Sequence, residues 1–131
     1  MFSGIEHVGV LAENPEKLAQ WYERVLNFQV IYTSNDSRPT IFLAGDNGQL
    51  LELIPDQSEN QVPNKDKRFH LAIKVNDFNE ALAKLRAEKV ETETSFDIFR
   101  GGKVVFFQDP EGNWLHLIFR PENPWKNWKN C

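Results

Sequence analysis

The apolar positions of this chain alternate between two periods, and the switches occur twice in the same order. EHVGVL, from Glu6, opens as a short apolar strand. Asn14 then suits a helix N-cap and Pro15 the first helical position. Leu18, Trp21, Tyr22, Val25 and Leu26 follow at i, i+3, i+4, i+7 and i+8, an apolar stripe on one helix face. Asn27 comes next, where a residue tolerant of the left-handed conformation is wanted. Three strands are expected after it, at about 28–33, 40–44 and 49–54. FHLAIKV restarts the series, with Asp77 as N-cap and Ala81, Leu82 and Leu85 as a shorter apolar stripe. Strands at about 92–99, 103–108 and 113–119 complete it. Asp46-Asn47-Gly48, Gly101-Gly102 and Asp109-Pro110-Glu111-Gly112 carry turn chemistry at the joints.

The order βαβββ therefore appears twice, and residues at equivalent places match. GQLLELIP (48–55) lies over GNWLHLIF (112–119), so that Glu52 falls on His116. His7 falls on His70, and Asn14 on Asp77. The expected organisation is α+β within a single domain. A first module spans 4–55, a polar linker 56–67, a second module 68–120 and a tail 121–131.

Alternate strand residues share a face, so His116 shares one with Trp114 and Ile118, and Glu52 with Leu50 and Ile54. If a pseudo-twofold relates the modules, His7, Glu52, His70 and His116 converge on its axis. A single buried strand histidine is more often a satisfied core residue than a ligand. Glu52 resists that reading, because a carboxylate inside LLELIP is costly to bury without a partner or a cation. The chain has three histidines, and all three take these equivalent places. Imidazoles and a carboxylate without thiolate suit a divalent zinc, nickel, cobalt, manganese or iron ion.

Composition narrows the partners. The 131 residues carry a formal net charge of −4, which argues against a general nucleic-acid binder. No apolar run is long enough for a membrane span, and the N-terminal stretch lacks the features of a signal peptide. Cys131 is the one cysteine, so a reduced, cytoplasmic protein is expected.

WYERVLNFQV, FFQDPEGNWLHLI and the paired βαβββ halves together resemble the vicinal-oxygen-chelate superfamily of glyoxalases, bleomycin resistance proteins and dioxygenases, over residues 4–120. The resemblance implies two modules forming an open cupped β-barrel around one divalent metal, with ligands from the first and last strands of each module. These match His7, Glu52, His70 and His116. It also implies a homodimer, with or without exchange of modules between chains.

Its glyoxalase I and epimerase branches imply a lyase or isomerase that chelates two adjacent substrate oxygens and moves a proton beside a carbonyl. Most metal-dependent relatives carry a carboxylate where His116 stands. Here a divalent ion would keep a net charge near +1, with Glu52 the one ligand carboxylate left as a base and His116 a further acid–base candidate. A metal-free small-molecule binding protein and a ferrous-iron dioxygenase are the alternatives. Trp114, Phe106 and Leu50 are candidates to line the cup, or simply to pack in the sheet. Arg100 is a candidate for an anionic substrate group, or an exposed hairpin charge. Trp125 and Trp128 are candidates for a lid or a subunit contact.

Overall fold

The computed structural model describes residues 1–56 and 66–125. Most of the linker, together with Trp128 and Cys131, lies outside the described residues. The chain divides into two units, Met1–Lys65 with Asp109–Asn113, and Asp66–Gln108 with Trp114–Cys131.

In the first unit, β1 (His7–Ala12) leads into α1 (Pro15–Leu26), then β2 (Gln29–Thr33), β3 (Ile41–Ala44) and β4 (Leu50–Pro55). The sheet order is β1-β4-β3-β2, with β1 parallel to β4 and the other pairs antiparallel. Asn14 caps α1 by accepting from Lys17 N at 3.0 Å, and Asn27 ends it in the left-handed conformation at φ 58°. Leu18, Trp21, Tyr22 and Val25 are buried, as are Ile41, Leu43, Leu51 and Leu53 on one face of the sheet. Each such side chain contributes about 1.5–3 kcal/mol when fully buried. The pleat sends Phe42, Glu52 and Ile54 to the other face. In β2 the register slips between Val30 and Tyr32, and Ile31 and Tyr32 are exposed.

The second unit repeats the plan with β5 (Leu71–Lys74), α2 (Phe78–Ala87), β6 (Phe96–Ile98), β7 (Gly102–Gln108) and β8 (Trp114–Phe119), in the order β5-β8-β7-β6. Asp77 caps α2 through Glu80 N at 2.9 Å. Phe78 and Leu85 of α2 are buried, as are Val105, Phe107, Leu115 and Leu117 of the sheet. The fold is α+β, built on two four-stranded mixed sheets; each sheet is open, and no closed barrel forms among the described residues.

One expected strand is much shorter than its pattern. Of residues 92–99 only Phe96–Ile98 form a strand, with an isolated bridge from Thr92 to Phe107. Glu91 to Ser95 are all polar, so no apolar face pins a register there. The chain then curls at Phe99–Gly101, where Arg100 and Gly101 take φ 57° and 76°.

The turn 109–113 belongs to the first unit. The Asp109 carboxylate accepts from Glu111 N, Asn113 N, Asn113 Nδ2 and the Tyr22 hydroxyl, at 2.8–3.0 Å. The Glu111 carboxylate accepts from the backbone N–H groups of Glu13 and Asn14, just before α1. Burial holds the Asp109 carboxyl above its ordinary pKa, although all its hydrogen bonds pull the other way. The buried Tyr22 hydroxyl is raised by burial and by the Asp109 charge beside it.

Candidate functional site

Each unit assembles two of the four predicted residues on the sheet face turned away from its helix. In the first, His7 starts β1 and Glu52 stands in the middle of β4, with Gly9 as its register partner. Without a side chain, Gly9 leaves the Glu52 carboxylate room; a Cβ there would stand 2.9 Å from Ile54 Cδ1 and 3.7 Å from Glu52 Oε1. His7 Nε2 lies 3.1 Å from Glu52 Oε1. The His7 ring meets Phe42 edge to face, with centroids 5.2 Å apart.

In the second unit, His70 immediately precedes β5 and His116 stands mid-way along β8, opposite Phe106 of β7. The two imidazole centroids are 4.5 Å apart. His70 meets Phe106 at 5.3 Å, nearly the same geometry as His7 on Phe42. The repeat extends outward: Tyr32 lies 6.3 Å from Phe42, and Phe96 lies 6.2 Å from Phe106. Each pair of candidate donors is thus walled by a short aromatic row. Periodicity marked Phe106 but not Phe42, although Phe42 stands on the face of Glu52 exactly as a period of two requires.

Hydrogen bonding fixes which ring nitrogen His70 and His116 present. The Nδ1–H of His70 donates to the Lys67 carbonyl at 2.9 Å, and that of His116 to the Leu117 carbonyl at 3.0 Å. A carbonyl only accepts, so both rings are Nδ1-protonated and keep Nε2 as the second nitrogen. His7 has a carboxylate oxygen at each ring nitrogen, Glu6 Oε1 2.7 Å from Nδ1 and Glu52 Oε1 3.1 Å from Nε2. Burial pushes His116 below the ordinary imidazole pKa; the Leu117 bond opposes this, and the charges of His70 and Arg120 add to it. His7 is held above its ordinary value, first by the Glu6 hydrogen bond and further by Glu52, with burial opposing. One unit therefore offers a neutral, buried imidazole, and the other an imidazole between two carboxylates.

This donor chemistry fits a divalent ion. Ligand atoms about 2.1 Å from a zinc-like ion stand about 3.0–3.4 Å apart in octahedral or tetrahedral arrangements. The 3.1 Å between His7 Nε2 and Glu52 Oε1 falls within that interval. Anchoring of the remote ring nitrogen is also the usual support of metal-binding histidines. Among the described residues, no three His, Cys, Asp or Glu side chains are gathered closely enough to hold an ion.

Of the other candidates, Trp114 and Phe106 lie on the histidine face of the second unit, 6.2 Å apart. The Lys67 ammonium covers both rings, at 4.8 and 5.2 Å, and pairs with Glu93 at 2.5 Å. Leu50 is half-buried in β4 as the register partner of His7. Arg100 donates through Nη1 to the Pro124 carbonyl at 3.1 Å, tying the tail to the curl after β6. Trp125 packs on Phe99, and the Arg120 guanidinium stands over both rings. No helix among the described residues is long and apolar enough to cross a membrane.

Comparison with known proteins agrees with this architecture. Residues 4–117 match the model of the Glyoxalase/Bleomycin resistance protein/Dioxygenase superfamily. The uncharacterized protein YwkD of Bacillus subtilis (strain 168) is 29% identical over 118 residues, covering 85% of this chain and 92% of YwkD. The crystal structure of a glyoxalase family protein from Enterococcus faecalis is 31% identical with a TM-score of 0.70, covering 89% of this chain and 98% of that one. The fosfomycin resistance protein FosX of Listeria monocytogenes, in complex with Mn(II) and sulfate, shares the fold at 18% identity, with a TM-score of 0.73 and 92% coverage of each chain. Two βαβββ units with a histidine at the start of each, a DPEGN turn, and a family match over nearly the whole length lead to one assignment: the chain belongs to the glyoxalase/bleomycin resistance protein/dioxygenase superfamily.

Proposed function

We propose that the protein is a metal-dependent lyase, isomerase or epimerase of the glyoxalase type, acting on a small metabolite with two adjacent oxygens. His7, Glu52, His70 and His116 are its metal ligands in this reading, and the protein acts as a homodimer. The observation that carries this reading is the common state of the three histidines. Each has Nδ1 tied to an acceptor, which leaves Nε2 of His70 and His116 to bind a cation and sets Nε2 of His7 against the Glu52 carboxylate. A core histidine needs no such uniformity. Manganese in FosX makes the use of a divalent ion by this fold plausible here as well.

A bound divalent ion would supply Lewis-acid polarisation of the two substrate oxygens. The chain's own residues do the rest. Glu52, partly exposed, is the carboxylate of the set and takes the proton from the carbon beside the carbonyl. His116 is buried with its pKa lowered, so it is neutral at pH 7 and acts as ligand or as proton acceptor. The aromatic rows Tyr32–Phe42 and Phe96–Phe106 offer apolar surface beside the donors, against which the carbon skeleton of a small substrate can pack.

Equilibrium dialysis and calorimetry with zinc, nickel, cobalt, manganese and ferrous ions test the site. One ion per chain is expected, with affinity reduced at least tenfold in His7→Ala, Glu52→Gln and His70→Ala. Absence of binding to any of the five ions would overturn the metal site. Proton NMR in deuterium oxide, with a panel of α-hydroxy and α-keto carbonyl compounds, tests the reaction. Metal-dependent loss of the α-proton signal is expected. Tight binding of aromatic compounds by metal-free protein, without exchange, would favour a sequestering protein instead.

A further inference from the structure

Of the three histidines, His7 differs in what its Nδ1 touches. His70 and His116 donate to neutral backbone carbonyls, whereas Nδ1 of His7 stands 2.7 Å from the carboxylate of Glu6. Neighbouring side chains in a strand point to opposite faces, which would keep Glu6 from His7. Glu6 lies just before β1, outside the ladder that starts at His7, so its side chain is free to turn onto its neighbour's ring. The second module has no counterpart. Phe69 precedes His70, and the chain reaches back to the Lys67 carbonyl instead.

This asymmetry bears on the charge of the site. Three neutral imidazoles and one carboxylate leave a divalent ion with a net charge near +1. A carboxylate hydrogen-bonded to a ligand imidazole raises the ring's basicity and places negative charge one ring away from the metal. We propose that Glu6 is a positioning residue for His7, holding its ring in the Nδ1–H tautomer and restoring from behind the ring the negative charge that His116 does not supply. The inference rests on the metal site proposed above. It adds a fifth residue, and it accounts for how a set of three histidines and one glutamate is balanced in this chain. The Phe42 edge contact limits rotation of the same ring, so Glu6 supplies charge and tautomer more than gross orientation.

Glu6 is largely exposed, with 78% of its side-chain surface open, and solvent screens part of its charge. Loss of such a partner costs about 10–100-fold in metal affinity, and the exposure places Glu6 near the lower figure. Glu6→Gln keeps an amide oxygen able to accept from Nδ1 and removes only the charge. Glu6→Ala removes both. Glu16→Gln, in the exposed first turn of α1, is the control for net charge.

Zinc and manganese dissociation constants are measured by calorimetry at one pH, and long-range ¹H–¹⁵N correlation spectra of the zinc-loaded protein report the His7 tautomer. The expected result is a loss of about tenfold in Glu6→Gln, a larger loss in Glu6→Ala with a weakened Nδ1–H signature at His7, and no change in Glu16→Gln. Wild-type binding that is unchanged in Glu6→Gln and Glu6→Ala, or a loss equal to that in Glu16→Gln, would overturn the role of Glu6 while leaving the site intact. A wild-type protein that binds no ion would overturn the site reading itself. Thermal unfolding of the metal-free variants should match wild type, because the Glu6 side chain is largely exposed and its one bond is to the neighbouring His7 among the described residues.

Discussion

Tyr22→Phe removes one oxygen from a fully buried side chain and tests how the turn 109–113 is held. The hydroxyl donates to Asp109 Oδ2 at 2.9 Å. A hydrogen bond to a charged group is worth about 1.5–3 kcal/mol. The same oxygen also accepts from Asn113 Nδ2 at 2.8 Å, so the variant does not leave it orphaned. The lower end of that range applies, about 1.5–2 kcal/mol at pH 7. With an unfolding entropy of about 2.1 cal/mol/K per residue, the midpoint should fall by about 6 °C.

The pH dependence has a definite sign. Asp109 has a folded pKa above its ordinary value, so the folded state binds more protons than the unfolded one in the interval between them. Its burial therefore costs stability above the folded pKa and nothing below the unfolded one. Tyr22 is one of the groups that offset this by favouring the charged carboxylate. The deficit of Tyr22→Phe should accordingly be full at pH 7 and shrink, to below about 1 kcal/mol, as Asp109 is protonated in acid. Urea unfolding followed by tryptophan fluorescence, from pH 7 down to pH 4, provides the assay; one of the reporting rings, Trp21, lies 5.1 Å from Tyr22. A deficit that is absent at pH 7, or that grows on acidification, would refute the reasoning.

His116→Glu restores the carboxylate usual in metal-dependent relatives. Without metal it places a charge at a site that is 6% exposed, and a loss of about 1–3 kcal/mol is expected. At one manganese concentration for both proteins, set at about 100 times the dissociation constant of the variant, the ion should return about 2.7 kcal/mol to the variant and less to the more weakly binding wild type. Thermal scans with and without the ion should show a larger metal-induced shift than in wild type, and equal shifts would count against His116 as a ligand. Gly102→Ala should destabilise by about 1–3 kcal/mol, because a Cβ there would meet Ile98 Cγ1 at 2.7 Å and the Phe119 backbone oxygen at 3.0 Å. Denaturant midpoints test this, and an unchanged midpoint would show that the β7–β8 edge can yield.

Periodicity, caps and turn residues made most of the fold legible. Asn14, Asp77 and Asn27 perform the capping roles that their residue types suggest, and the alternation in LLELIP and WLHLIF separates core from donor face. The expected strand at 92–99 failed where the pattern had no apolar side to register. Glu6 was illegible for a related reason: a bond between adjacent side chains follows neither the helical nor the strand period. Lys67 escaped notice because its rings, Phe106 and Trp114, belong to the paired strands β7 and β8, far from it along the chain. The candidate donors were read from their equivalence in the repeat, which chain order displays directly. Their hydrogen-bond partners are mostly backbone carbonyls, which no residue type announces.

The turn 109–113 also bears on how the protein is made. Tyr22 and the residues just before α1 obtain partners from far later in the chain, through bonds spanning 87, 97 and 98 residues. A nascent first half emerging from the ribosome has its helix and its sheet, yet its buried phenol stays without an acceptor until most of the chain has been synthesised. At about 5–20 residues per second, that interval is several seconds. The first half is thus the earlier to appear but not the earlier to finish. Cutting the chain in the linker would strand Asp109 and Glu111 on the other fragment from Tyr22 and Asn14, so the repeat in the sequence does not coincide with the division of the structure.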